Sequence, residues 1–352
     1  MAGNLYDLTT LLEVLRVQKT PTNFWLQFFP RQINFETQEI AFDKVWGDDR
    51  GLAPFVVPNV QGRVLGLEGY ETVSFKPAYV KPKYVVDPNM VIERQPGEAL
   101  GTGSMSIEAR RNAVIGEITR RIKLLCANRN EWLAARAIID GQVIIKGEDY
   151  PETLVNFRRD PSLTGTLTGA ARWSEATATP LDDLKLMRQN ANSLSGARIT
   201  KHVFGADAWD LFAARVDLKE LMDTRYGGLD TNVTRMTDGY EGLEYMGVIQ
   251  GLNGAGRIEA WVNTSKFIDP ETKLEQFHLD QDTVVGVSDM VQGVRCFGAI
   301  KDKAARYRAL EIFMKNWENE DPSVEYLLGQ SAPLMVPKQS NATFSLKVTG
   351  AV

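Results

Sequence analysis

Apolar residues recur at steps of three and four between residues 104 and 140, which is the longest helical pattern in the chain. The apolar face consists of Ile115, Ile118, Ile122, Leu125, Trp132 and Leu133. Ser104 or Ser106 can cap the start, Glu108 suits the first turn, and Gly141 stands where a helix-terminating glycine belongs. At ~1.5 Å per residue the helix is roughly 55 Å long, so the pattern predicts a brace along the molecule.

The rest of this helix carries an arginine-rich face with interspersed acids. Its charged residues are Arg110, Arg111, Arg120, Arg121, Arg129, Glu117 and Glu131. The mixture of signs favours a solvated helix face, with contact to DNA as the alternative.

The N-terminal residues 1 to 30 form a separate arm. Leucines at helical spacing occupy residues 5 to 15, and a dense aromatic cluster follows Pro21. A short terminal segment cannot bury that much aromatic surface against itself. Two possibilities stay open, since the cluster can pack on its own domain or on a neighbouring copy of the chain.

From Ile33 the pattern changes to alternation, with Ile33, Phe35, Ile40 and Phe42 separated by polar residues, which predicts extended chain. Prolines and glycines then interrupt short β-rich strings over the next forty residues. Such breakers do not fit a central strand. The pattern predicts a long projecting hairpin, which has too few internal contacts to be stable alone.

The remaining chain mixes short strands and helices. Residues 142–146 and 153–157 predict a strand pair, Pro180 opens a helix, and residues 342–348 predict a closing strand. Residues 197–270 alternate helical and strand-like segments, and residues 283–317 are mostly β. The order of elements predicts an α+β protein.

Length, net charge and cysteine count limit the classes of protein to which the chain can belong. With 352 residues, the chain is long enough for about two domains, and a net charge of −5 argues against a protein that grips nucleic acid. Two distant cysteines, Cys126 and Cys296, do not form a disulfide framework and suit a reducing cytoplasm. The start lacks the pattern of a secretory signal, and no apolar run approaches a membrane span of ~18 residues, so we expect no membrane contact.

Residue types that carry catalysis are scarce. His202 and His278 are the only histidines, and neither has nearby metal-ligand partners in sequence. The segment Gly101 to Ser104 lacks the lysine of a phosphate-binding loop, and Asp48-Asp49 lies in a glycine-flanked turn. We therefore predict no catalytic, cofactor-binding or metal-binding residue and no cofactor.

Several strings resemble the major capsid protein E family of lambda-like tailed phages. Residues 35–43 resemble the lead into the family's extended loop, and residues 134–145 with Val155-Asn156-Phe157 resemble its helix-to-hairpin signature. Residues 168–174 and the following 180–184 are similar to its most recognisable stretch. One departure is Asn156, where the family often has Asp. The similarity spans nearly the whole chain.

The resemblance implies a Hong Kong 97-type capsid fold with four parts. These are an N-arm over residues 1–32, an extended loop (E-loop) over 33–85, a peripheral domain over 86–179 and 275–325 that includes the spine helix 104–140, and an axial domain over 180–274 and 326–352. Arm and loop would be completed by lying across neighbouring subunits.

The implied function is a major capsid protein, made in the host bacterial cytoplasm, that forms pentamers and hexamers of an icosahedral head around double-stranded DNA. The residues predicted to make intersubunit contacts are Phe24, Trp25, Phe28, Phe29, Trp46, Phe55, Val57, Val64, Leu65 and Leu67. Implied partners are a decoration protein at threefold sites, a scaffold protein, a portal, a maturation protease, and DNA held without sequence specificity. The competing hypotheses are an encapsulin-like compartment shell, another phage structural protein and a soluble enzyme.

Overall fold

The structure is a computed structural model of the chain. It describes residues 24–37, 39–45, 70–75, 77–93, 106–147, 150–215, 242–251, 256–321 and 323–349. The predicted leucine stripe of the arm, the segment 46–69 of the predicted E-loop and the segment 101–104 lie outside the described residues.

The described part combines four helices with short strands in several sheets. The helices are α1 Pro88–Ile92, α2 Ile107–Ile139, α3 Pro180–Ser195 and α4 Ala206–Arg215. The strands are β1 Arg31–Asn34, β2 Ile40–Val45, β3 Tyr70–Phe75, β4 Lys83–Val86, β5 Gln142–Gly147, β6 Tyr150–Asn156, β7 Thr164–Thr166, β8 Lys201–Phe204, β9 Leu243–Gly251, β10 Gly256–Asn263, β11 Lys266–Ile268, β12 Glu275–Phe277, β13 Thr283–Val287, β14 Val294–Phe297, β15 Phe313–Asn319, β16 Val324–Gln330, β17 Pro333–Val336 and β18 Thr343–Lys347. This mixture confirms the predicted α+β class.

Helix α2 is the predicted spine helix. It begins three residues later and ends one residue earlier than the predicted range 104–140. Ser106 caps the start, where its Oγ accepts the N–H of Ala109 at 3.2 Å. Its 33 residues make a rod about 50 Å long. Its N-terminal half packs on one sheet and its C-terminal half packs on another, so the helix connects the two.

The N-terminal half of α2 packs on a three-stranded antiparallel sheet with the order β15–β16–β4. The buried apolar residues of this contact are Val86, Val114, Ile115, Ile118, Ile122, Met314 and Leu327. Leu125 is 45% exposed, so its predicted place on the buried face is wrong. Leu125 lies about one turn beyond Ile122, which is the last residue of α2 in this apolar contact.

A six-stranded sheet with the order β7–β18–β13–β8–β10–β9 forms the centre of the other end. All five residues of β13 are buried, because strands flank it on both sides and apolar layers cover both faces. One face packs on α3 and α4, and the other packs on the C-terminal half of α2. Two apolar layers therefore enclose the sheet.

A second three-stranded sheet, with the order β1–β14–β17, joins the N-terminal segment to the body. Strand β1 runs parallel to β14, with Arg31 paired to Val294. The short 3-10 turn Trp25–Phe28 precedes β1 and packs against α2. The end of the predicted N-arm is thus part of the folded body.

Three two-stranded ribbons complete the described part: β2–β3, β5–β6 and β11–β12. The ribbon β5–β6 is the predicted hairpin that follows the spine helix. The ribbon β2–β3 lies within the predicted E-loop, with Val45 paired to Tyr70 at the end next to the undescribed segment.

The predicted domain boundaries do not follow the sheet pairing at every point. Strands β7 and β13 fall within the predicted peripheral domain, but they hydrogen-bond to β18 and β8, which fall within the predicted axial domain. A hydrogen-bonded sheet with shared apolar layers is one packing unit. The division into a peripheral and an axial domain therefore stays a proposal. In this proposal, β7 and β13 belong with their sheet neighbours β18 and β8.

Candidate assembly surfaces

The side chain of Glu131 holds the N-terminal turn against the spine helix. Its Oε1 accepts the backbone N–H of Trp25 at 2.7 Å, and its Oε2 accepts that of Leu26 at 3.0 Å. These N–H groups belong to the start of a short helical turn, where no partner exists within the turn itself. Glu131 is only 7% exposed, so its predicted place on a solvated face is wrong.

Glu117, on the same helix, lies on a solvated face as predicted. This carboxylate is exposed and forms ion pairs of 2.7 Å with Arg120 and 3.0 Å with Arg121. The two glutamates therefore differ in environment and in charge balance. Burial raises the pKa of Glu131 to about 7, although the N–H groups of Trp25, Leu26 and Phe24 favour the ionised form.

Four aromatic residues with predicted contacts to neighbouring subunits lie in the core of their own chain. Phe24, Trp25, Phe28 and Phe29 are all buried, and the Phe24 ring lies 5.8 Å from the ring of Trp261 on β10. The aromatic cluster of the arm therefore packs on its own subunit. A contact with a neighbour through these side chains would require the turn to leave α2.

The remaining six predicted contact residues lie outside the described residues. They are Trp46, Phe55, Val57, Val64, Leu65 and Leu67.

The C-terminal end of the spine helix is held by the buried Arg159. Its guanidinium donates to the carbonyls of Ile138 and Ile139, each at 2.8 Å, and to Oγ1 of Thr164 on β7. These are carbonyls that the last turn of a helix cannot pair internally. Burial lowers the pKa of Arg159 to about 10. One side chain thus joins the spine helix to the six-stranded sheet.

The hairpin that leaves this end of α2 is apolar on both faces. Val143 and its cross-strand partner Val155 are buried against the body. Ile144 and its partner Leu154 point the other way, and they are 48% and 56% exposed. The result is an outward-facing cross-strand apolar pair.

A second ribbon lies beside this hairpin. Lys146 of β5 and Glu271, in the turn between β11 and β12, form an ion pair of 3.7 Å. Ile268 and Leu274 are exposed near the same turn. Monomeric proteins rarely expose many large apolar side chains close together, so these two ribbons form a candidate contact surface.

The sheet β15–β16–β4 also has an apolar row on its outer face. Trp317, Tyr326 and Val85 are cross-strand neighbours, and the rings of Trp317 and Tyr326 stack with centroids 5.3 Å apart. The ammonium of Lys83 lies 3.8 Å from the centre of the Tyr326 ring. This face turns away from α2, which packs on the opposite side of the sheet.

The two histidines and the two cysteines are buried structural groups. Burial lowers the pKa of His202 to about 3 and that of His278 to about 4, so both are neutral at pH 7. Cys126 and Cys296 are free and buried, and burial raises the pKa of each thiol to about 12. In the described part of the chain, no three His, Cys, Asp or Glu side chains are placed to hold a metal ion. None of its helices is long and apolar enough to cross a membrane.

Sequence reasoning overlooked the outward pair Ile144–Leu154, although a signal for it was present. Val143, Ile144 and Ile145 are consecutive, and alternate residues of a strand face opposite sides. Three apolar residues in a row therefore imply that both faces of the strand are apolar. For Arg159 and Glu131 no comparable local signal exists, because their partners come from distant parts of the chain.

Comparisons with known proteins agree with this architecture. The family model described as phage major capsid protein E matches residues 7–348. The major capsid protein of Escherichia phage lambda is 28% identical over 317 residues, covering 88% of this chain and 89% of that protein. The major capsid protein of Escherichia phage N15 is 28% identical over 328 residues, covering 91% and 92%.

A solved structure shares the fold. It is a prophage protein of E. coli CFT073 described as a capsid protein, with a TM-score of 0.72 and 23% identity, covering 98% of this chain and 99% of that one. The fold is that of the Hong Kong 97-type capsid proteins, as the sequence predicted. Since the family match spans nearly the whole chain, the chain belongs to the phage major capsid protein E family. The predicted function, a structural protein of the virion capsid, is confirmed over a compartment shell.

Proposed function

We propose that copies of this chain form pentamers and hexamers that close into an icosahedral head around double-stranded DNA. Rings of this kind arise when different patches of one subunit meet, and the rotation between subunits closes the ring. Membership of the capsid protein family supports the proposal. The observation that carries it is the apolar pair Ile144–Leu154, which faces away from its own subunit.

The two-ribbon surface is suited to contact with another copy. A two-stranded ribbon is marginal on its own in water, and its outer apolar face gains stability only when another surface covers it. Burial of apolar area contributes about 25 cal/mol per Å². The contact between Lys146 and Glu271 shows that the two ribbons lie side by side, so Ile144, Leu154 and the apolar residues of β11–β12 can be covered by one partner.

The arm and the loop have the same proposed role. Residues 33–85 act as the E-loop and reach a neighbouring subunit through Trp46, Phe55, Val57, Val64, Leu65 and Leu67. The ribbon β2–β3 supports this proposal, because it ends next to the segment that would project. The N-arm contribution is limited to residues before Phe24, since the aromatic turn that follows is buried in its own subunit.

The proposal also includes several partner proteins. They are a scaffold protein, a portal, a maturation protease and a decoration protein at threefold sites. The DNA is enclosed without sequence-specific contacts, in line with the net charge of −5.

The variants Ile144→Asp and Leu154→Asp test the proposal in the full-length protein. Both side chains are exposed in the subunit, so we expect unchanged circular dichroism and loss of particles in sedimentation. Leu186→Asp on α3 is the matched control, because Leu186 is also 56% exposed but lies on a different surface. Normal particles from both hairpin variants would contradict the role of this surface.

A further inference from the structure

A polar cleft lies between the end of α3 and the chain that folds back over it. Gly196 ends the helix in the left-handed conformation, with φ +70°, and reverses the chain direction. Residues 197–199 then border a cleft of about 240 Å³. Its polar lining consists of Lys185, Arg188, Gln189, Asn192, Ser193 and Arg198.

Two arginines in this cleft lie close together without an acidic partner. Arg188 is partly buried, and burial lowers its pKa, with the nearby charge of Arg198 as the second cause. In the described part of the chain, neither guanidinium has a carboxylate within ion-pair distance. Two like charges in a half-enclosed cleft repel each other, and a bound anion would relieve that repulsion.

The helix end balances this charge only in part. The C-terminus of a helix carries roughly half a negative charge, which stands against two guanidinium groups. The acidic residues of α3, Asp182 and Asp183, lie in its first turn, at the opposite end. Asp183 also accepts the indole N–H of Trp173 at 2.9 Å. Neither carboxylate is therefore placed to balance Arg188 or Arg198.

We propose that this cleft binds a phosphate group. Guanidinium groups donate paired N–H bonds that match phosphate oxygens, and the amides of Gln189 and Asn192 supply neutral donors. The lining residues come from the helix on one side and from Arg198 on the other, so they would flank a bound anion from two sides. The cleft volume of about 240 Å³ accommodates a phosphate group.

The phosphate can come from two sources that share this chemistry. One is free inorganic phosphate, and the other is a backbone phosphodiester of DNA. The second source rests on the proposed function, since it requires DNA inside the shell, whereas the first does not.

Calorimetric titration of the full-length protein with inorganic phosphate, and separately with a short DNA duplex, tests the proposal at constant ionic strength. We expect Arg188→Gln and Arg198→Gln each to weaken phosphate binding about tenfold or more. Arg308→Gln is the matched control, because Arg308 is exposed elsewhere and its loss changes the net charge equally. The control should bind phosphate like the unchanged protein.

Each outcome decides the proposal. Binding of phosphate and duplex, both weakened by the cleft variants, supports the site with DNA as the source. Binding of phosphate alone supports it with free phosphate as the source. Absence of phosphate binding, or equal weakening by Arg308→Gln, overturns it. Loss of particles in the cleft variants without phosphate binding would assign the arginines to a carboxylate of a second copy, and would also overturn it.

Two features keep the test independent of folding and of assembly. Arg198 is exposed, so Arg198→Gln carries the test if Arg188→Gln does not fold. Phosphate titration of unassembled subunits needs no particles, so a failure of the proposed shell function is distinguishable from a failure of the cleft.

Discussion

Glu131 and Trp25 are 106 residues apart in the chain, yet the carboxylate of one accepts the backbone N–H of the other at 2.7 Å. This bond joins the N-terminal turn to the C-terminal half of the spine helix. It shows that the subunit completes this part of its core with its own residues. The apolar pair on the hairpin β5–β6 is different, because nothing in the described part of the subunit covers it.

Removal of the Glu131 carboxylate should destabilise the subunit. In Glu131→Ala, the buried N–H groups of Trp25 and Leu26 lose their acceptor, and we expect the free energy of unfolding to fall by about 2–4 kcal/mol. Urea unfolding followed by tryptophan fluorescence measures this change. Glu117→Ala is the control on the same helix, and its exposed ion pairs predict a loss below about 1 kcal/mol. Equal losses would show that Glu131 does not anchor the turn.

The stability of the subunit should also depend on pH through Glu131. Its pKa is raised from 4.5 to about 7 in the folded chain, so the folded chain binds the proton more tightly than the unfolded chain. This contribution is fully present below pH 4.5 and is lost as the pH rises through 7, by about 3 kcal/mol at most. Glu131→Gln cannot titrate, so its unfolding midpoints between pH 4.5 and pH 8 should lack this decline. Parallel profiles for the two proteins would refute the assignment.

Two glycines should respond in opposite directions to the same substitution. Gly141 has φ +66°, and an added Cβ would lie 2.9 Å from Cβ and Nε of Arg159. Gly141→Ala should therefore cost about 1–3 kcal/mol. At Gly116, within α2, an added Cβ would meet no atom of the described residues within 4 Å, so Gly116→Ala should stabilise by about 0.5–1 kcal/mol. Thermal unfolding distinguishes the two, and a stabilising Gly141→Ala would contradict the described helix end.

A charge on the buried face of the spine helix should prevent folding. Ile122 is fully buried between α2 and the sheet β15–β16–β4, so Ile122→Asp places an unpaired charge in an apolar contact and should cost more than about 4 kcal/mol. Leu125→Asp, three residues later on the exposed border, should cost less than about 1 kcal/mol. Solubility and circular dichroism provide the measurement. A folded Ile122→Asp subunit would mean that this face is not buried.

The elements that depend only on residues near them in sequence were predicted correctly. The spine helix, the hairpin after it and the helix opened by Pro180 all agree with the structure to within a few residues. Periodicity, capping residues and proline act over a few positions, and they can be read from neighbouring residues. The Hong Kong 97-type fold followed from the resemblance to the capsid protein family.

Long-range relationships were not predictable in the same way. The parallel pairing of Arg31 with Val294 joins distant segments, and no turn or alternation encodes it. Burial of Glu131 depends on the turn that lies on it, so a helix pattern alone placed this residue among the solvated ones. The sheet neighbours of β7 and β13 were not predictable either, because strands in the six-stranded sheet come from separate parts of the chain.

The central claim is that this chain builds a shell from copies of itself. Sedimentation velocity of the purified full-length protein, with negative-stain electron microscopy of the same sample, tests it most directly. We predict closed particles together with rings of five and six subunits. A single species of 39.3 kDa at every concentration tested, with no rings or particles on the grid, would contradict the account.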